Sequence, residues 1–205
     1  MDIAAQSQTR AVRGRRFPGW REIGREPFRP ETWRRAGYLV LAVPVSVLCV
    51  PLAVVGGPVG RVQRALRERV LGERFGFEVR ERGGATAAAV YVLAAVPLSL
   101  AGLVVTAYWW AVVALNLGYP LRPGVDPTDA WGGPALAGAW AVHGIGGIGF
   151  LLLAPWVGKG FTALQTRLAV GLLGRDGRGR GRALGFAAGV VLVCGLLSVP
   201  VVHQL

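Results

Sequence analysis

The sequence predicts an all-α fold, a polytopic membrane helical bundle. Two observations carry this. More than half of the 205 residues are apolar, 53%, with a positive mean hydropathy. The charges are also segregated rather than scattered: none falls in Ala36–Gly60, Gly83–Leu121, Ala130–Gly158 or Ala183–Leu205. At 1.5 Å rise per residue each run can cross a hydrocarbon layer of about 30 Å, which needs roughly 20 residues. Buried helices of soluble proteins seldom stay uncharged over four such runs.

The chain divides accordingly. Residues 1–35 form a basic tail, and Pro18, Gly19, Pro27 and Pro30 lead us to expect it loosely structured. About 35 polar residues ahead of the first apolar run argue against a cleavable signal. Residues 36–174 form a membrane domain, and 175–205 a basic linker plus a C-terminal transmembrane helix. The net charge of +12 comes from Arg10–Arg35, Arg61–Arg82 and Lys159–Arg182, all beside apolar runs. The positive-inside bias and anionic headgroups account for them there, so specific nucleic-acid binding is not expected. The short Gly/Arg run Gly174–Arg182 does not change this. Cys49 and Cys194 sit inside apolar runs and read as small packing residues.

The chain also matches itself. Tyr38, Pro44 and Ser46 recur as Tyr91, Pro97 and Ser99 at an offset of 53, and Val59, Gln63, Leu66, Val70, Leu71 and Gly72 recur as Phe161, Gln165, Leu168, Leu172, Leu173 and Gly174 at an offset of 102. Both matches fall in the same order, which points to two degenerate copies, 36–72 and 86–174, each a membrane hairpin ending in an amphipathic helix. The second copy is longer by the difference of the two offsets, so the first is a hairpin without its middle.

The amphipathic stretches Val59–Leu71 and Phe161–Leu173 have apolar residues at helical spacing, with Gly72 and Gly174 as C-caps. Arg61, Arg64, Arg67, Arg69 and Arg74 on the first, with Lys159 and Arg167 on the second, suit a helix lying on the membrane surface or against a partner. A solvated helix packed on the protein's own underside fits the pattern equally. Arginine counting places spans at about 86–118, 134–158 and 183–202. Ala36–Gly60 has basic flanks on both sides. The expectation is a bent or re-entrant hairpin broken at Pro44, Pro51 and Gly56-Gly57-Pro58; the competing reading is one plain crossing with the basic tail outside.

Candidate sites are few. Gly144-Ile-Gly146-Gly147-Ile-Gly149 satisfies a G-x-G-x-x-G pattern, but it lies within an apolar span and no acid follows until Asp176. Close helix approach explains its small residues, and no cofactor is expected. His143 is the titratable side chain of a span interior, either a pH or ligand sensor or a neutral interhelical hydrogen-bonder. Trp109, Trp110, Trp131 and Trp140 cluster near span ends. They form an aromatic interface belt or, with Asp126 and Asp129, an outer ligand pocket. No nucleophile–base pair, metal-ligand spacing or phosphate loop accompanies them, so catalytic residues, metal and enzymatic activity are not expected.

At Leu151-Leu-Leu-Ala-Pro155-Trp156-Val157, with Leu164, Arg167, Leu168 and Leu172-Leu173-Gly174 behind it, the chain resembles the sensor domain family of actinobacterial two-component histidine kinases. Thr32-Trp33-Arg34-Arg35-Ala36-Gly37-Tyr38-Leu39 and Tyr91–Pro97 are similar to the family's two repeat starts. The resemblance covers about Pro30–Gly174. It implies a four-helix membrane module of two hairpins that senses a signal and brings no catalytic residues. Here the first hairpin is shortened, and a further span follows Gly174 where a kinase or the chain end would be expected. The expectation is a multi-pass plasma-membrane sensory or accessory module that acts through a kinase, regulator or other membrane protein, with a homo-oligomer as a further option. The alternative is a small transporter or permeability protein.

Overall fold

The computed structural model describes residues 19–72, 85–174 and 180–202. Residues 1–18 of the basic tail, Arg74, Asp176 and most of the Gly/Arg run therefore lie outside the described residues. The protein is an all-α helical bundle. Its described helices are α1 (Trp20–Arg25), α2 (Pro30–Val54), α3 (Val59–Leu71), α4 (Ala85–Leu117), α5 (Leu136–Leu173) and α6 (Arg180–Val202), with 3-10 turns at Glu26–Phe28 and Tyr119–Leu121.

The stretch ahead of the first apolar run is more ordered than expected. From Trp20 it is helical, and α2 starts at Pro30, ahead of Ala36. The prolines read as loop markers act as starters instead: Pro27 lies in the 3-10 turn and Pro30 opens α2, where a proline's missing N–H costs nothing. Thr32 Oγ1 donates to the Glu26 carbonyl and ties turn to helix.

The structure also corrects the re-entrant reading of Ala36–Gly60. Residues 30–54 form one continuous helix containing both Pro44 and Pro51. A proline removes one hydrogen bond, and neighbouring helices can carry that loss. Its buried residues Tyr38, Ala42, Ser46, Cys49 and Ala53 recur every three or four positions and bind it along one side. The chain breaks only afterwards, where Gly56 takes φ +69, a conformation that excludes most side chains.

Beyond that break α3 folds back along α2. Gln63 meets Cys49, Arg67 meets Tyr38, and Gly72 approaches Arg34, so numbers rise on one helix as they fall on the other. Gly72 caps α3 with φ +70. Gly174 also ends its helix, in an extended conformation.

The second amphipathic stretch is not a separate helix. It is the last third of α5, which runs 38 residues without interruption, about 57 Å, through the internal Pro155. Phe161, Gln165, Leu168, Ala169 and Leu172 are all buried there. Without a break like that at Gly56, propagation simply continues.

Helices α4 and α5 form an antiparallel hairpin, held by Trp140 Nε1 to the Leu117 carbonyl and Trp109 Nε1 to the Phe150 carbonyl, both 3.0 Å. Helix α2 also lies antiparallel to α4: Trp33 stacks on Trp110, Leu39 reaches Gly102, and Ser46 meets Ser99. The start of α2 and the start of α4 therefore lie at opposite ends of the bundle. Three helices, α2, α4 and α5, are long and apolar enough to cross a membrane, and α6 adds the apolar stretch Gly181–Leu197. Exposed Val40, Leu48, Leu93, Leu100, Val104, Ile145, Leu192 and Leu196 are the surface such helices turn to lipid. The chain is a membrane protein.

Candidate functional site

Trp109, Trp110, Asp126, Asp129, Trp131 and Trp140 lie in or beside the α4–α5 connection. Trp109 and Trp140 bond to α5 and α4 backbone, as above. Trp110 stacks on Trp33 at 4.9 Å, and Trp131 is 82% exposed. Asp126 accepts the Thr128 backbone N–H at 2.9 Å and its hydroxyl at 2.5 Å. These bonds hold its carboxyl below the usual carboxylate range. Asp129 is exposed.

His143 is half-buried on α5. Its Nδ1 lies 2.8 Å from the Ala139 carbonyl, and its ring stacks on Tyr119 at 4.1 Å. The Arg122 guanidinium covers the same tyrosine at 5.1 Å and also bonds to the Leu115 carbonyl. The cation–aromatic–imidazole stack closes the α4–α5 connection.

Polar residues converge inside the bundle, where four helices meet. Ser46 Oγ and Ser99 Oγ are 3.3 Å apart, and Gln165 Nε2 donates to Ser99 Oγ at 3.4 Å. One turn away Gln63 Nε2 approaches Cys49 Sγ at 3.7 Å. Arg67 Nη1 donates to Thr166 Oγ1, and its guanidinium sits 5.3 Å from the Tyr38 ring and within electrostatic reach of Tyr91. Ser46, Gln63, Arg67, Ser99 and Gln165 are all buried. Gln165 Oε1 is buried without a hydrogen-bond partner among the described residues.

Arg67 is a correction to the sequence reading, which grouped it with outward-facing arginines. It is 1% exposed, because it lies one turn after Gln63 on the face of α3 that meets α2. Of its neighbours, Arg61 and Arg69 are exposed and Arg64 is half-buried. Arg167 is exposed on α5. Lys159 is engaged internally: its Nζ lies 2.5 Å from Glu26 and 4.2 Å from the Trp156 ring centre. Glu26, itself buried, also meets Arg29 at 3.5 Å.

Sequence reasoning passed over Ser46, Ser99 and the two glutamines as sites, yet the signal was present. They are the polar positions at which the chain matches itself at offsets of 53 and 102.

Chemically, this cluster can couple helices. Among the described residues no group of three or more His, Cys, Asp or Glu could hold a metal. An ionisable side chain buried in a membrane bundle is costly and often functional, and Arg67 ties α3 to α2 and α5 at once. No family model, curated protein or solved structure matches the chain.

Proposed function

We propose that this chain is a non-enzymatic membrane sensory or accessory module that acts through a partner protein, as its resemblance to the kinase sensor domains implies. The observation that carries this reading is α3 itself. It is a polar helix strapped along a crossing-length apolar one, with Arg61, Glu68 and Arg69 turned outward. Exposed Val40, Leu41, Val47 and Leu48 occupy the stretch of α2 that α3 runs beside. A charged side chain at the bilayer centre costs about 2.5–3.5 kcal/mol even on the mildest scale, so the outer face of α3 needs a polar cover. A kinase, regulator or other membrane protein supplies one.

Because Arg67 and Gln63 key the inner face of the same helix to the core, a shift at the cluster is transmitted to the covered face. Photo-reactive residues at positions 61 and 69 of the intact chain, irradiated in cells, should cross-link to a discrete protein. Cross-links to lipid alone would sink the adaptor reading.

The second reading, a small transporter, draws support from the antiparallel placement of α2 and α4. Proline-containing helices of opposite direction meeting at equivalent serines resemble the inverted repeats of transporters. In that case water in a crevice would cover α3, and purified protein in liposomes should take up solute.

A further inference from the structure

The outward face of α6 carries a groove of about 540 Å³, lined among the described residues by Arg182, Gly185, Phe186, Gly189, Val193 and Cys194 with Val190. Nothing stands within 4 Å of where a Cβ would extend from Gly185 or Gly189. The missing side chains make the floor, and Phe186, 62% exposed, stands beside it.

We propose that this groove holds an acyl chain of an anionic phospholipid whose phosphate rests on Arg182. Three features select that occupant. Among the described residues the lining is apolar except at one end, where Arg182 stands. From Arg182 to Cys194 the groove runs about 18 Å at 1.5 Å per residue, close to one leaflet of a hydrocarbon core about 30 Å thick. Arg182 also ends a basic segment that includes Arg175, Arg178 and Arg180, and such segments beside a membrane helix attract anionic headgroups.

A second copy of the chain fits less well. Two copies inserted in the same direction pair their α6 helices parallel about a two-fold axis, so packing on Gly185 and Gly189 would bring two Arg182 guanidiniums together.

The test is native mass spectrometry of the full chain released from vesicles of equal phosphatidylglycerol and phosphatidylcholine. Wild type should retain phosphatidylglycerol in preference by about five-fold, the factor one arginine near an anionic surface supplies. Arg182→Gln should bring the two lipids level. Gly185→Leu with Gly189→Leu fills the floor and should lose both; these positions are open, so helicity by circular dichroism should be unchanged. Equal retention by wild type, or retention that neither variant changes, overturns the proposal. So does displacement by glycerol phosphate as effective as that by a short-chain phosphatidylglycerol, because the groove would then contribute nothing. Efficient Cys194–Cys194 cross-linking in native membranes would assign the groove to a second copy instead.

Discussion

At the scale of single residues, Arg67 is the most consequential side chain in the bundle. Its stem fills space between α2, α3 and α5, and its charge is held by Thr166 and by the Tyr38 ring. Truncation should therefore cost both packing and a charged hydrogen bond. We expect Arg67→Ala to destabilise the detergent-solubilised protein by about 2–4 kcal/mol, measured by thermal unfolding. Arg67→Met keeps most of the volume and drops the charge, so it should cost clearly less, because buried ionic groups replaced by apolar isosteres are often tolerated. If Met proved as damaging as Ala, the charge rather than the packing would be what the site needs.

Asp126 gives a second residue-scale expectation. Its bonds to Thr128 favour the ionised form and depress its folded pKa. The order this lends the outer turn is present at neutral pH and is lost as pH falls through that lowered value. Fluorescence of exposed Trp131, which lies in the same connection, should report an acid step that Asp126→Asn removes. A step retained in the variant would assign it elsewhere.

At the scale of elements, the helices are set by how closely they approach. Gly102 of α4 faces Phe161 of α5 and Leu39 of α2, and a Cβ there would lie 3.1 Å and 3.3 Å from their side chains. Alanine asks the Phe161 ring to yield by a few tenths of an ångström. Gly102→Leu overfills the junction and should cost about 1–3 kcal/mol, read as a lowered unfolding temperature. The same substitution at Gly144, where nothing lies within 4 Å, should be nearly silent. Equal effects at the two glycines would mean that the three-helix contact does not form.

This junction was only partly legible beforehand. The offset of 53 matched Ser46 to Ser99, close to Gly102 in the sequence, but periodicity says which residues share a face and not which face meets which neighbour. For the same reason the outward and inward arginines of α3 could not be sorted from spacing alone. A helix with cations all round has no preferred side until a partner is packed against it.

At the scale of the whole molecule, antiparallel α2 and α4 place the start of α2 at the end of the bundle that holds the α4–α5 connection. Reporters inserted at Gly19 and at Gly124 should therefore fall in the same compartment, and a reporter ahead of Ala85 in the opposite one. If Gly19 and Ala85 reported one side, the crossing of α2 and the contacts of Trp33 with Trp110 and Ser46 with Ser99 could not hold in the membrane. Helices α2 and α4, each preceded in the sequence by a basic stretch, start at opposite ends of the bundle. Arginine counting had treated the two stretches as alike, because charge bias weighs each flank without knowing the direction of the helix between them.

Much of the plan is a property of the chain read locally. Four charge-free runs dictate helices in an apolar solvent, since backbone groups in lipid must bond within their own segment. Gly72 and Gly174 stop α3 and α5 where they stand in the sequence. Tertiary structure decided the rest: that Pro44 and Pro51 are carried through one helix, that residues 161–173 continue α5, and that Arg67 points inward while Arg61 points out. Each outcome depends on a partner distant in sequence, Ser99 for Ser46 and Thr166 for Arg67. Local hydrophobicity cannot rank such pairings, because their free energy exists only when both surfaces are brought together.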